Sequence, residues 1–136
     1  MNAVDTNVLF YAHDQRYPDK QRVASELIAT NPDGALVWQV ACEYLWASRK
    51  LDRSAIRLRT QQRTFATSAL SGTRSCLSGR HWIGWESLRK GYSLSFWDRL
   101  LIATCLEAGV RRLYSEDFSG YARVESLDIV NPFEPA

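Results

Sequence analysis

SFWDRLLIATCLEAGVRRLYSEDFSG, residues Ser95 to Gly120, is the stretch whose reading decides the fold. Ser95 is a favoured N-cap residue, and Ser95-x-x-Asp98 resembles a capping box. The apolar run that follows ends at Ala108, where Gly109 can take the left-handed C′ conformation that closes a helix. Val110 to Ser115 then reads as a strand, and Ser-Glu-Asp-Phe-Ser-Gly as a loop.

The same alternation extends outward. Asn2 to Val4 reads as a short strand, after which Thr6 or Asn7 can cap a helix running through Val8, Leu9 and Ala12. Tyr17-Pro18-Asp19 opens a second helix, Lys20 to Thr30, and Asn31-Pro32-Asp33-Gly34 is a turn signal. Ala35 to Trp38 reads as a short buried strand and Gln39 to Leu51 as a helix. Ser54 caps another helix through Ile56, Leu58 and Phe65. Ser68 to Trp85, with Gly72, Gly79 and Gly84, reads as a loop or irregular connection. A short helix, Trp85 to Lys90, ends at Gly91, and Leu127 to Val130 is the last strand. Strands alternating with helices imply a parallel sheet covered on both faces, within one domain spanning residues 1–136.

Composition narrows the classes. Hydrophobic residues are 46% and charged residues 24%, enough apolar material for a core and too little charge for disorder. No apolar run approaches the ~20 residues of a membrane span, and MNAVDTNVLF has no signal-peptide character. Cys42, Cys76 and Cys105 show no CxxC spacing, and Cys42 and Cys105 read as buried thiols, which suits a reducing cytoplasm. His13 and His81 are too few and too isolated for a zinc site. Net charge is +2, but Arg49 to Arg63 holds six basic residues against Asp52 alone, a local +5 that leaves −3 elsewhere. Such a face suits an anionic partner, although a solvated helix face has the same composition.

Four acids follow strands or open helices: Asp5, Glu43, Asp98 and Asp117. Each has a structural explanation. Asp5 suits an N-cap or Asx turn, Asp98 complements a helix dipole, Glu43 can be a boundary residue, and Asp117 belongs to a loop. Together they fall near the carboxyl edge of a parallel sheet, where open α/β folds bind ligands. Carboxylates about 5 Å apart repel by roughly 3 kcal/mol per pair at an effective dielectric near 20. A magnesium or manganese ion, with its preference for hard oxygen ligands, relieves that repulsion.

DTNVL at the start, the helix carrying Glu43, LSFWDRLLIATCLEAG and LYSEDFSG lie in the order and near the spacing of the PIN-domain family, and the chain resembles the VapC-type toxins within it. The resemblance implies a three-layer fold with a central, mainly parallel sheet of four to five strands. It also implies a magnesium- or manganese-dependent endoribonuclease that hydrolyses RNA to 5′-phosphate and 3′-hydroxyl ends, forms a homodimer and is neutralised by a cognate antitoxin. By motif, Asp5, Glu43, Asp98 and Asp117 match the family's acidic quartet, and Asn7 and Ser115 its polar support positions. Asp117 is preferred to Glu116 because it ends the family's Ser/Thr-x-Asp stretch. Ser68 to Trp85 departs from the family pattern, which usually has a strand and a regular helix there.

Arg49, Arg53 and Arg57, at successive i, i+4 steps, are candidate phosphate contacts. Trp46, Tyr44 and Trp97 can stack on bases, with core packing the preferred place for Trp97. Leu9, Phe10, Tyr44 and Trp46 are candidates to receive an antitoxin. A haloacid-dehalogenase-type phosphatase is a poorer match, because its Asp-x-Asp pair would need an acid at Asn7. A DNA flap nuclease on this fold would need larger insertions. A catalytically silent module that binds RNA or protein is the remaining alternative.

Overall fold

In the computed structural model, residues 1–32, 34–50 and 79–134 are described. The elements in chain order are β1 (Asn2–Val4), α1 (Thr6–Tyr11), α2 (Pro18–Ala29), α3 (Trp38–Ala47) with a 3₁₀ turn at Ser48–Lys50, α4 (Gly79–Gly91), α5 (Phe96–Glu107), β2 (Arg112–Tyr114), β3 (Arg123–Val124) and β4 (Leu127–Val130). The helix expected from Ser54, and the part of the irregular stretch between 68 and 78, lie outside the described residues.

The sheet has the order β1-β2-β4-β3, with β1, β2 and β4 parallel and β3 antiparallel to β4. Its register pairs Ala3 with Leu113 and Leu113 with Ile129, so these three point to one face. Val4 and Tyr114 point to the other, as the two-residue period of strands requires. Ala3, Leu113, Leu127 and Ile129 join Val40 of α3, Leu88 of α4 and Leu101, Ile102 and Cys105 of α5 in the larger core. Val4 and Tyr114 pack with Val8 and Ala12 of the α1 turn and Ala24 and Leu27 of α2 in a smaller one. Helices therefore cover both faces, and the fold is α/β in three layers.

Local chemistry sets the boundaries. Ser95 caps α5, its Oγ accepting from the Asp98 backbone N–H at 3.1 Å, and Gly109 closes it at φ +71°. Pro18 opens α2 at a position where its missing N–H costs nothing.

Three expectations need correction, and one strand was not foreseen. The cap of α1 is Asp5, whose carboxylate accepts from the Thr6 N–H, in keeping with its reading as an N-cap residue and not with Thr6 or Asn7 in that place. Ala35 to Trp38 forms isolated bridges at Ala35 and Val37 rather than a strand, the former parallel to Ala3, because α3 already begins at Trp38. The helix expected from Trp85 begins at Gly79 and absorbs both Gly79 and Gly84, with α4 packing along α5. Contact with α5 outweighs the roughly 1 kcal/mol that a helical glycine costs. The two-residue β3 shows no alternating pattern in the sequence; it turns back onto β4 through Glu125 at φ +53°.

Candidate metal centre

Three parallel strands end side by side, and the chemistry gathers at their carboxyl ends. Asp5 follows β1, and its N–H donates to the Tyr114 carbonyl at the end of β2 at 2.9 Å. The Ser115 N–H donates in turn to the Val130 carbonyl at the end of β4 at 3.1 Å. These bonds carry the sheet register one residue past the strands, so Asp5 and the Ser115–Asp117 turn are placed by the sheet itself.

Side chains then link them. Ser115 Oγ donates to Asp5 Oδ2 at 2.7 Å, while Thr6 N donates to Asp5 Oδ1 at 2.6 Å. Ser115 Oγ accepts from Asn7 Nδ2 at 3.1 Å and from the Asp117 N–H at 3.2 Å. Asn7 Nδ2 also donates to Asp117 Oδ2 at 2.9 Å. Asp5, Asn7, Ser115 and Asp117 thus form one connected network, brought together from opposite ends of the chain.

Glu43, on α3, enters through Thr6, whose Oγ1 donates to Glu43 Oε2 at 2.9 Å. Gln39, one turn earlier on α3, donates to Glu43 Oε1 at 2.8 Å. Burial pushes the Asp5 carboxyl up from 3.8 to about 6; the bonds from Ser115 and Thr6 oppose that rise, and the charges of Asp117 and Glu43 add to it. Asp5, Glu43 and Asp117 are therefore electrostatic neighbours.

Asp98 is placed differently. It lies half-buried in the first turn of α5, and it is not among the charges that raise Asp5. Among the described residues, no three Asp, Glu, His or Cys side chains converge closely enough to hold a metal ion as the chain stands. The donor set nonetheless suits a hard cation: it is built of carboxylate and amide oxygens, and Asn7 Oδ1 is a buried acceptor with no hydrogen-bond partner among the described residues. A divalent ion would also supply the counter-charge that Asp5 lacks. Glu116, the neighbour of Asp117, is engaged elsewhere, in an ion pair with Lys20 of α2.

The surroundings correct several residue assignments. Trp97 is 60% exposed rather than packed in the core, and Trp38 and Trp46 are exposed to a similar degree. Tyr44 is the reverse, buried with 3% exposure, so its ring is unavailable for stacking or for a partner. Leu9 packs on the larger core. Cys42 is exposed, while burial pushes the Cys105 thiol up to about 12. Trp38, Cys42, Trp46, Ala47, Trp97 and Leu100 line a groove of about 940 Å³ that reaches Thr6, Gln39 and Glu43. Arg49 is exposed and sets its guanidinium 5.5 Å from the Trp46 ring centroid. Arg53 and Arg57 lie outside the described residues. His13, half-buried beside Tyr44, has its imidazole pKa lowered by that burial.

Thr6 and Gln39 escaped the sequence reading. Their signals were available: Thr6 stands between Asp5 and Asn7, and Gln39 is four residues before Glu43 on the same helix face.

No helix among the described residues is long and apolar enough to cross a membrane. A search of curated proteins found no match. Among solved structures, the chain is similar to one in a toxin–antitoxin complex from Klebsiella pneumoniae, at 19% identity and TM-score 0.71, covering 99% of this chain and 100% of that one. It is also similar to a chain of VapBC2 from Rickettsia felis bound to a DNA fragment from its promoter, at 20% identity and TM-score 0.60, covering 96% and 97%. These likenesses show the fold. The family profile described as PIN domain matches residues 3–126, and the chain belongs to the PIN-domain family.

Proposed function

We propose that the chain is a magnesium- or manganese-dependent endoribonuclease, the toxin of a toxin–antitoxin pair. The observation that carries the proposal is the gathering of Asp5, Glu43 and Asp117 at the sheet's carboxyl edge, with Asp5 raised to about 6 by burial and, to a lesser degree, by the charges of its two acidic neighbours. The toxin–antitoxin origin of both structural neighbours supports the same reading.

Asp5, Glu43, Asp98 and Asp117 would hold the cation. When bound, the cation supplies a nucleophile at neutral pH and neutralises charge developing on the phosphate. Ser115 and Asn7 orient Asp5 and Asp117 through the bonds described, and burial of Asp5 keeps bulk water from competing for its carboxylate. Arg49, Arg53 and Arg57 would contact phosphates of the RNA. A cognate antitoxin would cover the tryptophan-lined groove beside Glu43, with Trp46 and Trp97 as its apolar anchors. The chain would act as a homodimer in the cytoplasm.

The absence of Asp98 from the charges that raise Asp5, and of any converging group of three ligating side chains among the described residues, favours a second reading, a catalytically silent PIN module that binds RNA or protein. RNA cleavage by the purified chain with magnesium or manganese, beside Asp5→Asn and Asp98→Asn, separates the two. The nuclease requires cleavage by the wild type and its loss in both variants. Equal activity in all three rules out the metal mechanism, and inactivity of the wild type on structured and unstructured RNA supports the silent module. Co-purification with the product of the adjacent reading frame tests the toxin role.

A further inference from the structure

Glu43 is held from two sides. Thr6, at the start of α1, donates to one carboxylate oxygen, and Gln39, within α3, donates to the other. The carboxylate is therefore fixed between two elements that are separate in sequence.

Gln39 reaches further than Glu43. Its amide nitrogen carries two hydrogens, and besides Glu43 it lies 3.3 Å from the carbonyl of Trp97, the residue before Asp98. An amide turned the other way would set its oxygen against a carboxylate and a carbonyl, both acceptors, so the neighbours dictate its orientation. That orientation leaves Gln39 Oε1 buried and unpartnered among the described residues. Asn7 Oδ1, on the Asp5–Asp117 side of the cluster, is left in the same condition. Both open groups are acceptors attached to side chains that hold acidic residues. Magnesium usually keeps several waters when carboxylates bind it, and such waters are donors.

We propose that Gln39 is a positioning residue of the cation site, its amide fixing the Glu43 carboxylate and tying it to the Trp97–Asp98 segment. The inference rests on the metal-dependent reading above. Gln39 links Glu43 on α3 to the turn of α5 that carries Asp98.

The test is a calorimetric titration of manganese into the full chain, for wild type, Gln39→Met, Gln39→Asn and Asp5→Asn, with the metal-free thermal midpoint of each recorded. Methionine keeps the side-chain length and loses the donors; asparagine keeps the amide and falls one methylene short. Both Gln39 variants should bind manganese about 10- to 100-fold more weakly than wild type, the usual range for losing a group that orients a metal ligand. Their metal-free midpoints should stay at the wild-type value, and kcat should fall more than KM rises. Wild-type affinity in both Gln39 variants overturns the inference alone, provided Asp5→Asn still loses binding. Unfolding of both metal-free variants overturns it too, because the amide then serves the fold. No manganese binding by wild type overturns the metal reading and the inference with it.

Discussion

Asp5 serves at once as the cap of α1, the acceptor for Ser115 and a member of the acid cluster. Burial raises its carboxyl to about 6 against the bonds from Ser115 and Thr6, which lower it, and the charges of Asp117 and Glu43 add to the rise. A carboxyl raised in the folded state holds its proton more tightly there than in the unfolded chain. Its stabilising contribution is complete below the unfolded value of 3.8 and is lost as pH rises through about 6, a fall on the order of 3 kcal/mol. The stability of metal-free wild type relative to Asp5→Asn, followed by urea unfolding, should therefore decline from pH 4 to pH 7, and saturating magnesium should flatten the decline. A flat metal-free difference would remove Asp5 as the buried, under-compensated acid. Ser115 is the second residue to test. Ser115→Ala deletes the hydroxyl shared by Asp5, Asn7 and the Asp117 N–H. Cleavage should drop about 10- to 100-fold while circular dichroism stays native; undiminished cleavage would show that the network does not orient the acids.

At the scale of the element, α5 was the most legible part of the chain, because cap, apolar run and C′ glycine all agree locally. Ser95→Ala should cost about 1 kcal/mol in urea unfolding, and a cost near zero would mean that the helix start is held by packing alone. The helix α4 was much less legible. Gly79 and Gly84 argue against a helix locally, and among the described residues it is contact with α5 that supports one. The strand β3 failed for a related reason: two residues carry no periodicity, so pairing with β4 alone defines it. Glu43 and Gln39 show the intermediate case. Their i, i+4 relation is written in the sequence, but that Gln39 reaches the Trp97 carbonyl depends on how α3 and α5 pack.

Across the whole molecule, tryptophan burial is the clearest lesson. Trp97 lies in the helix whose next turns carry the buried Leu101, Ile102 and Cys105, and its apolar surface made the core its expected place. Exposure instead makes it one wall of the groove beside Glu43. Trp97→Ala should cost about 1 kcal/mol or less in thermal unfolding, against about 3–5 for a core aromatic, while weakening capture of the adjacent-frame protein. A core-sized loss would return Trp97 to the interior.

By itself the sequence determined the alternation of strands and helices, the caps of α5 and the candidate acids, because these follow from short-range periodicity and residue chemistry. It also carried the family resemblance, through motifs at a recognisable spacing. Tertiary structure alone decided that Ser115 bonds to Asp5 across 110 positions, that Glu116 faces Lys20 while Asp117 faces Asn7, and that Tyr44 is buried where Trp46 and Trp97 are exposed. The reason is physical: the direction of a side chain and its freedom from water depend on which elements pack around it, and parallel strands meet only after the chain between them has folded back.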